Sequence, residues 1–541
     1  MANMTDYQAT YAAFHWQRRE RFNFAGDVID TAASHTPDKQ ALLWVDDAGR
    51  EISRSFSDIA LASRRLASAL ADKGVKRGDV VLLLLGREIA WWESLTACLR
   101  AGIIVAPGTT QLTPKDIAYR LEAAKAVAVI TNSAHAAKVD AAARESGPLR
   151  LKICTDGAPE GWTAYEALLA AGGDDFAAAD TRVEEEALYY FTSGTTGFPK
   201  MAVHGHGYGL GHETTGRYWL DLGPHDLHWN ISDTGWAKAA WSSYFAPWLQ
   251  GAAVFVHNSA AFNAQRSLQL LARYPITTLC AAPTVYRMLV LEDLSAYGFP
   301  RLRHCVGAGE PLNPEVIAKW RRATGLAIRD GYGQTETVLL CGNFPTLAVK
   351  PGSMGKPAPG IELAVIDEKG EPLAANQEGD IAVKARPVPP AGLFLGYKDD
   401  AERTAACFRG DWYLTGDRAL VDGDGYFWFV SRADDVILSA GYRIGPFEVE
   451  SALLSHPAVA ESAVVSSPDE TRGEVVKAFI VLAPGHAPSD ALARALQDHV
   501  KSVTAPYKYP RKIAFIDNLP KTVSGKIRRV TLREKEWGGR R

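Results

Sequence analysis

The sequence predicts a large α/β domain of helix-flanked sheets, a β-rich subdomain at its end, and a small C-terminal α+β domain. Three observations predict it. Through the first half, apolar runs of strand length alternate with apolar residues at helical spacing, the order of a parallel sheet covered by helices. From about Gly352 the texture changes to short apolar runs separated by turns, the pattern of hairpins. After Ser431-Arg-Ala-Asp-Asp435, helix and strand signals mix again over a stretch long enough for a separate small domain. The expected domains are 1–433, with the β-rich part at 352–430, and 434–541.

Each element has its own signal. Phe56 to Lys73 is rich in Ala, Leu and Arg with helical spacing, and Gly74 and Gly78 break it. Val80 to Leu85 reads as a strand, Ile89 to Arg100 as a helix, and Ile103–Ala106 and Val127–Thr131 as further strands. Trp248 to Val256 and Ile276 to Ala282 continue the series. In the β-rich part, Glu362–Ile366, Asp380–Lys384 and Tyr426–Val430 read as strands. Asp422-Gly-Asp-Gly425 is a tight turn; a calcium loop begun at Asp422 would need Glu at its twelfth position, where Ala433 stands. Phe447–Ser455 and Asp490–Val503 read as helices, Ala460–Ser466 and Val475–Leu482 as strands.

Composition narrows the function classes. With 47% hydrophobic residues among 541, the chain can bury a substantial core. A net charge of −3 gives no electrostatic grip on nucleic acid. The cysteines (Cys98, Cys154, Cys280, Cys305, Cys341 and Cys407) are scattered, with no C-x-x-C pair, as expected for buried reduced thiols. Residues Met1 to Asn23 lack the apolar core of a secretory signal, and Val80–Leu85 is too short to span a bilayer. The expectation from these features is a cytoplasmic protein without an integral membrane segment. A homo-oligomer is left open. His204, His206, His212, His225 and His228 cluster in the chain but lack cysteines or carboxylates at zinc-ligand spacing, so no zinc site is expected.

The strongest chemical signal is Tyr190-Phe-Thr-Ser-Gly-Thr-Thr-Gly-Phe-Pro-Lys200. A strand end runs into a loop of glycines and hydroxyl residues and finishes at a lysine. Gly194 and Gly197 permit tight turns and close approach to a ligand. Thr192, Ser193, Thr195 and Thr196 supply hydroxyls, free backbone N–H groups can cradle phosphate oxygens, and Lys200 can offset their charge. A Walker A loop is excluded, because Lys200 follows Pro199 and precedes Met201.

Five further motifs stand downstream: Gly307-Ala-Gly-Glu-Pro311, Asp330-Gly-Tyr-Gly-Gln-Thr-Glu336, Tyr413-Leu-Thr-Gly-Asp417, Ser431-Arg-Ala-Asp-Asp-Val436 and Pro520-Lys-Thr-Val-Ser-Gly-Lys526. Together with the first, and in this order, they resemble the adenylate-forming superfamily of acyl-CoA synthetases, luciferases and peptide-synthetase adenylation domains. Ser232-Asp-Thr-Gly-Trp-Ala-Lys-Ala-Ala-Trp241 is most similar to medium-chain acyl-CoA synthetases, enzymes of fatty acid metabolism.

The resemblance implies ATP, Mg²⁺ and coenzyme A as cofactors and a small carboxylic acid as partner. It implies ATP or AMP contacts from Thr192, Ser193, Gly194, Thr195, Thr196, Gly197 and Lys200, from Gly309, Glu310 and Pro311, and from Asp330, Gly331, Tyr332, Gly333, Gln334 and Thr335. Asp417 would accept the ribose hydroxyls, Arg432 would contact ribose or phosphate, Tyr332 would stack on adenine, and Glu336 would hold Mg²⁺. Lys526, Glu336, Thr192 and Lys200 would carry catalysis, with Lys526 supplying positive charge where carboxylate and phosphate meet. Trp236, Ala237, Lys238, Ala308 and Gly333 would line the acyl pocket. At Gly333 acetate-specific relatives carry tryptophan, so glycine should leave room for a medium-chain or branched acid, and Gly333→Trp should shift preference toward acetate or propionate. Lys238 would point outward or meet a polar substrate group.

The family also rotates its small domain between half-reactions, which makes that domain mobile and Asp434 the hinge. Rotation would bring Ser439, Ala440, Gly441, Tyr442 and Arg443 to the cleft for CoA, with Arg472 and Lys501 as weaker candidates for its phosphates. Alternatives are an aryl-acid CoA ligase and an adenylation enzyme loading a carrier protein. A catalytically silent nucleotide binder is disfavoured by the presence of Lys200, Glu336, Asp417 and Lys526.

Overall fold

The structure is a computed structural model that describes residues 2–147, 149–192, 199–432, 435–439, 442–469, 473–521 and 527–538. Two large sheets, flanked by helices, make up the first three-quarters of the described residues. In the eight-stranded sheet, Val80–Leu84 lies parallel to both Ile104–Pro107 and Ala126–Thr131, and all five of its residues are buried. A continuous apolar run is what a parallel strand covered on both faces requires. The helix Phe56–Asp72 opens with a capping box: the Ser55 hydroxyl accepts from the Asp58 amide and the Asp58 carboxylate accepts from the Ser55 amide. This sheet also holds β1 (Glu186–Thr192) and its antiparallel partner β2 (Lys200–Gly205), so the glycine-rich loop joins two adjacent strands. The short helix α1 (Ala237–Ala240) follows the Trp236 motif.

The nine-stranded sheet contains β3 (His304–Ala308), parallel to β4 (Ile328–Gly333), which turns back into antiparallel β5 (Leu339–Gly342). The motifs at 307–311 and 330–336 thus lie at the C-terminal ends of parallel strands, where open α/β sheets bind ligands. The β-rich part forms a five-stranded antiparallel sheet, but β6 (Gly396–Tyr397) leaves it and pairs with β2. In the five-stranded sheet β7 (Trp412–Val421) pairs with β8 (Phe427–Arg432) across the Asp422 turn. Lys350 donates to Asp422 and Asp424 at 2.6 Å each. Burial raises the Asp422 carboxyl, but hydrogen bonds from Lys350, the Tyr426 amide and Trp428 outweigh it and hold the group at about 2.

The small domain packs Pro446–Leu454 and Asp490–Val503 on the antiparallel pair Val459–Asp469 and Gly473–Leu482. Phe447 meets Phe429 of β8 edge-on at 6.1 Å. The six cysteines are free thiols, five of them buried. Among the described residues no helix is long and apolar enough to cross a membrane.

Two features differ from the expected elements. Trp248 belongs to a short helix, Ala246–Leu249, and the strand begins only at Ala253, because Gly251 adopts a left-handed φ of +66° that turns the chain. Gln40–Asp46 and Glu51–Ser55 were not anticipated; the first pairs with Ala253–Asn258, more than 200 residues away, a partner no local pattern reveals.

Candidate active site

Three clusters in the large domain bring the sequence motifs together. The first joins Lys200 to Glu336 through a residue the motifs do not contain. Lys200 sits at the start of β2, with its ammonium 5.1 Å from the ring centroid of Tyr397 on β6. The Tyr397 hydroxyl donates to Glu336 Oε1 at 2.7 Å. Burial, then the Glu336 charge, pushes the Tyr397 phenol well above its ordinary range, so it stays a donor. His204 steadies the same segment: its Nε2 meets the Thr335 carbonyl at 2.7 Å. Burial lowers this imidazole to about 4, so it is neutral and Nε2–H donates.

The second cluster surrounds Asp417 on β7, which is 6% exposed. Its Oδ2 accepts from the Tyr332 hydroxyl at 2.6 Å and from Gln334 Nε2 at 2.8 Å, and Arg432 Nε lies 3.9 Å from Oδ1. Gln334 also donates to the Thr415 carbonyl. The motif at 330–336 and the motif at 413–417 therefore form one hydrogen-bonded unit. Tyr332, expected to stack on adenine, is tied through its hydroxyl to Asp417.

The third cluster is the expected acyl pocket. Lys238 of α1 donates from Nζ to the Ala308 carbonyl at 2.8 Å, so its head is turned inward and joins two residues of the expected pocket. Ala237 and Ala308 are buried, and Trp236 caps the start of α1. Trp241, one turn further on, lies 6.1 Å from Trp219 and almost parallel to the His212 ring at 6.0 Å. Trp219 packs so closely on Gly331 that a Cβ there would sit 2.3 Å from its ring. Trp219 therefore stands against β4, with Trp241 packed on it and His212 packed on Trp241, an aromatic group that the sequence motifs did not single out. The tryptophan-rich run after Trp236 was the available signal for Trp241.

The geometry bears on three further expected site residues. Gly333 is exposed, but a Cβ there would meet the Val338 carbonyl oxygen at 2.4 Å, a backbone atom that cannot swing away. Its glycine is needed by the β4–β5 pairing, and a tryptophan at 333 would displace that pairing before it shortened a pocket. Asp330 is 5% exposed, and its carboxylate oxygens accept from the Leu312 and Gly331 amides. Burial raises its carboxyl to about 8. The Glu310 carboxylate is turned to Thr284 and Arg287, at 3.2 and 3.4 Å, which leaves the backbone of Gly309 to Pro311 as the contact surface. Gly309 holds a φ of +109° that a side chain would disfavour.

In the small domain Ser439 is buried, and the exposed Tyr442 ring stacks on Tyr507 at 4.3 Å and 19°. Lys501 pairs with Asp498. The bridge Lys521↔Ile527 closes the base of the segment that carries Lys526, and Arg529 just beyond it makes a two-pronged pair with buried Glu450 at 2.8 and 2.6 Å. Thr192 ends β1, paired with Lys200. Ser193, Gly194, Thr195, Thr196, Gly197, Asp434, Ala440, Gly441, Arg472 and Lys526 lie outside the described residues, as does the side chain of Arg443.

The comparisons with known proteins agree with this geometry. Residues 29–398 match the model of the AMP-binding enzyme family, and residues 448–526 match that of the AMP-binding enzyme C-terminal domain. Among curated proteins, acyl-coenzyme A synthetase ACSM3, mitochondrial, of Mus musculus is 52% identical over 99% of this chain and 94% of its own length. Acyl-coenzyme A synthetase ACSM4, mitochondrial, also of Mus musculus, is 50% identical over 96% of this chain and 91% of its own length. Among solved structures, the anthranilate CoA ligase AuaEII in complex with anthranoyl-AMP superposes with a TM-score of 0.88 at 31% identity, covering 96% of this chain and 98% of that one. A benzoate CoA ligase from Burkholderia xenovorans LB400 gives 0.84 at 30% identity, covering 95% and 100%. The expected cytoplasmic location is overturned, because these curated relatives are mitochondrial and point to that compartment instead. The chain belongs to the AMP-binding, adenylate-forming enzyme family and is an AMP-forming acyl-CoA synthetase that works through an acyl-adenylate.

Proposed function

We propose that this enzyme activates a medium-chain or branched carboxylic acid, using Lys526 to bring the carboxylate to ATP and a turned small domain to deliver coenzyme A. In the first half-reaction a carboxylate oxygen attacks the α-phosphorus, the bond to the β-phosphate oxygen breaks, and pyrophosphate leaves. In the second, the CoA thiolate attacks the acyl carbonyl, AMP leaves with its oxygen, and the thiol proton goes to solvent.

The observation that carries the reading is the Lys200–Tyr397–Glu336 arrangement beside the Asp417 unit. On this reading the cation and carboxylate would meet the phosphates, and the buried aspartate would meet the ribose. Glu336 Oε1 is oriented by Tyr397. Its carboxylate suits Mg²⁺, which prefers carboxylate and phosphate oxygens and would offset the charge of the triphosphate. Asp417, held by Tyr332 and Gln334, would accept from the ribose hydroxyls. Small Ala308 favours an acid larger than acetate. An aryl acid is the second reading, favoured by the near-parallel Trp241 and His212 rings and by the anthranilate and benzoate ligases among the structural relatives. On the CoA side, Tyr442 stacked on Tyr507 offers a flat exposed face next to the predicted pantetheine loop.

ATP–pyrophosphate exchange with acetate, hexanoate, octanoate, a branched acid, benzoate and anthranilate, followed by addition of free CoA, tests this. Exchange that peaks with a mid-sized acid and gives a thioester is expected. Absence of exchange with every acid would overturn the reading. Exchange without transfer to free CoA would favour a carrier-protein acceptor.

A further inference from the structure

A cavity of about 600 Å³ lies at the edge of the nine-stranded sheet opposite the catalytic motifs. His304 and Arg329, at the N-terminal ends of β3 and β4, line it, whereas Ala308 and Gly331–Gly333 at the other ends face the nucleotide motifs. Four residues of strand, about 13 Å, separate the two edges. The cavity is therefore not part of the cleft described above.

Its charge is unbalanced toward cations. Arg303 is neutralised within the wall by Asp221 at 2.6 Å and Asp226 at 2.8 Å, and the Asp221 carboxylate also accepts from the Asn3 amide. Arg329 is different: its guanidinium donates to the carbonyls of Phe344, Leu347 and Pro345, and the Asp221 charge, already engaged with Arg303, acts on it only from beyond ion-pair distance. Arg321, on the last turn of Pro314–Thr324, is exposed at the same cavity. Among the described residues no carboxylate stands within ion-pair distance of either. Most of the remaining lining is apolar, including Leu326, Leu347 and Val349. A cavity lined by two guanidinium groups that hold no ion pair and by an apolar wall suits a ligand with an anionic head and an apolar body.

We propose that this cavity binds a small organic carboxylate, head toward Arg321 and Arg329 and body against Leu326, Leu347 and Val349, as a second acid site separate from catalysis. Both β3 and β4 run from it into the nucleotide loops, so occupancy bears on rigid elements that also carry Ala308 and Tyr332. The proposal stands independently of which acid is activated.

The test is calorimetric titration of the full-length enzyme with 4-bromobenzoate after the catalytic cleft has been filled with an unreactive acyl-sulfamoyl adenosine. One further binding event is expected, with inorganic phosphate unable to displace the acid and an anomalous bromine peak in the cavity of the corresponding crystal. Arg321→Glu, an exposed change outside the catalytic machinery, is expected to weaken that event at least about tenfold. No second event, equal binding by Arg321→Glu, or displacement by phosphate alone would each overturn the proposal. Failure of the adenosine analogue to bind would speak instead against the catalytic assignment.

Discussion

The two domains hold their functional groups by different means. In the large domain the site residues are locked to one another: Asp417 to Tyr332 and Gln334, Glu336 to Tyr397, His204 to the Thr335 carbonyl, Lys238 to the Ala308 carbonyl. Most of these groups are buried or half-buried, so the bonds are made in a medium where an unpaired polar group is costly. In the small domain the described contacts secure only the base of the lysine segment, through the Lys521↔Ile527 bridge and the Arg529–Glu450 pair. The contrast fits a division of labour. The platform around Asp417 and Glu336 is preorganised, and Lys526, on the proposed mechanism needed in one half-reaction alone, belongs to a separately anchored segment.

The sharpest way to break that comparison is to remove the lysine. Lys526→Ala should lower pyrophosphate exchange by about 10²-fold or more, because a positioned charge at the reacting phosphate is lost. Thioester formation from a supplied acyl-adenylate should be largely spared. Equal loss in both assays would mean that the small domain does not divide its work between two arrangements. Glu450→Gln tests the anchor: it removes a charge from a buried pair, so it should reduce exchange together with stability, and a normal exchange rate would show that the base of the segment does not position Lys526.

Tyr397→Phe probes the large domain with less disturbance. It deletes one hydrogen bond to a carboxylate and keeps the ring beneath Lys200. Exchange should fall about tenfold, with the melting temperature nearly unchanged. An unaltered kcat would show that Glu336 needs no orienting group. Gly333→Ala should act on stability instead, costing about 1–3 kcal/mol, since the new methyl would strike the Val338 carbonyl. A variant as stable as the parent would restore the open-pocket reading of Gly333.

What the sequence made legible follows from which interactions are local. The helix at 56–72, the buried strand at 80–84 and the helix at 490–503 announce themselves through caps, apolar spacing and breakers. The phosphate, ribose and lysine motifs are also short local patterns. Tyr397 carries no such mark. It reaches Glu336 because a two-residue strand abandons its own subdomain to pair with Ala202 and Val203, a long-range event. Trp219 and His212 are likewise placed by packing across sheets. Gly331, Gly333 and Asp330 sit inside a recognisable motif, yet the motif alone does not separate residues that touch a ligand from those that build the strand beneath it. The 2.3 and 2.4 Å Cβ clashes and the amide partners of Asp330 make that separation.

Asp330 also gives the smallest test, in the pH dependence of stability. Burial holds its carboxyl at about 8 in the folded protein, with the Leu312 and Gly331 amides and the Lys238 charge opposing the rise, whereas in the unfolded chain it titrates near the ordinary value of 3.8. Between these values the folded state keeps a proton that the unfolded state has lost. Folding stability contributed by this group is therefore greatest below about pH 4 and declines as pH rises toward about 8, by at most about 1.4 kcal/mol per unit. Asp330→Asn stays neutral throughout. It should be a little less stable than the parent below about pH 4, because its amide nitrogen faces a backbone donor, and should overtake the parent as pH rises toward 8, because the decline is absent from the variant. Chemical denaturation across that range reads the slope directly. Parallel curves for parent and variant would mean that Asp330 is already ionised in the fold, and that the nucleotide platform contains a buried charge balanced by Lys238 in place of a neutral strut.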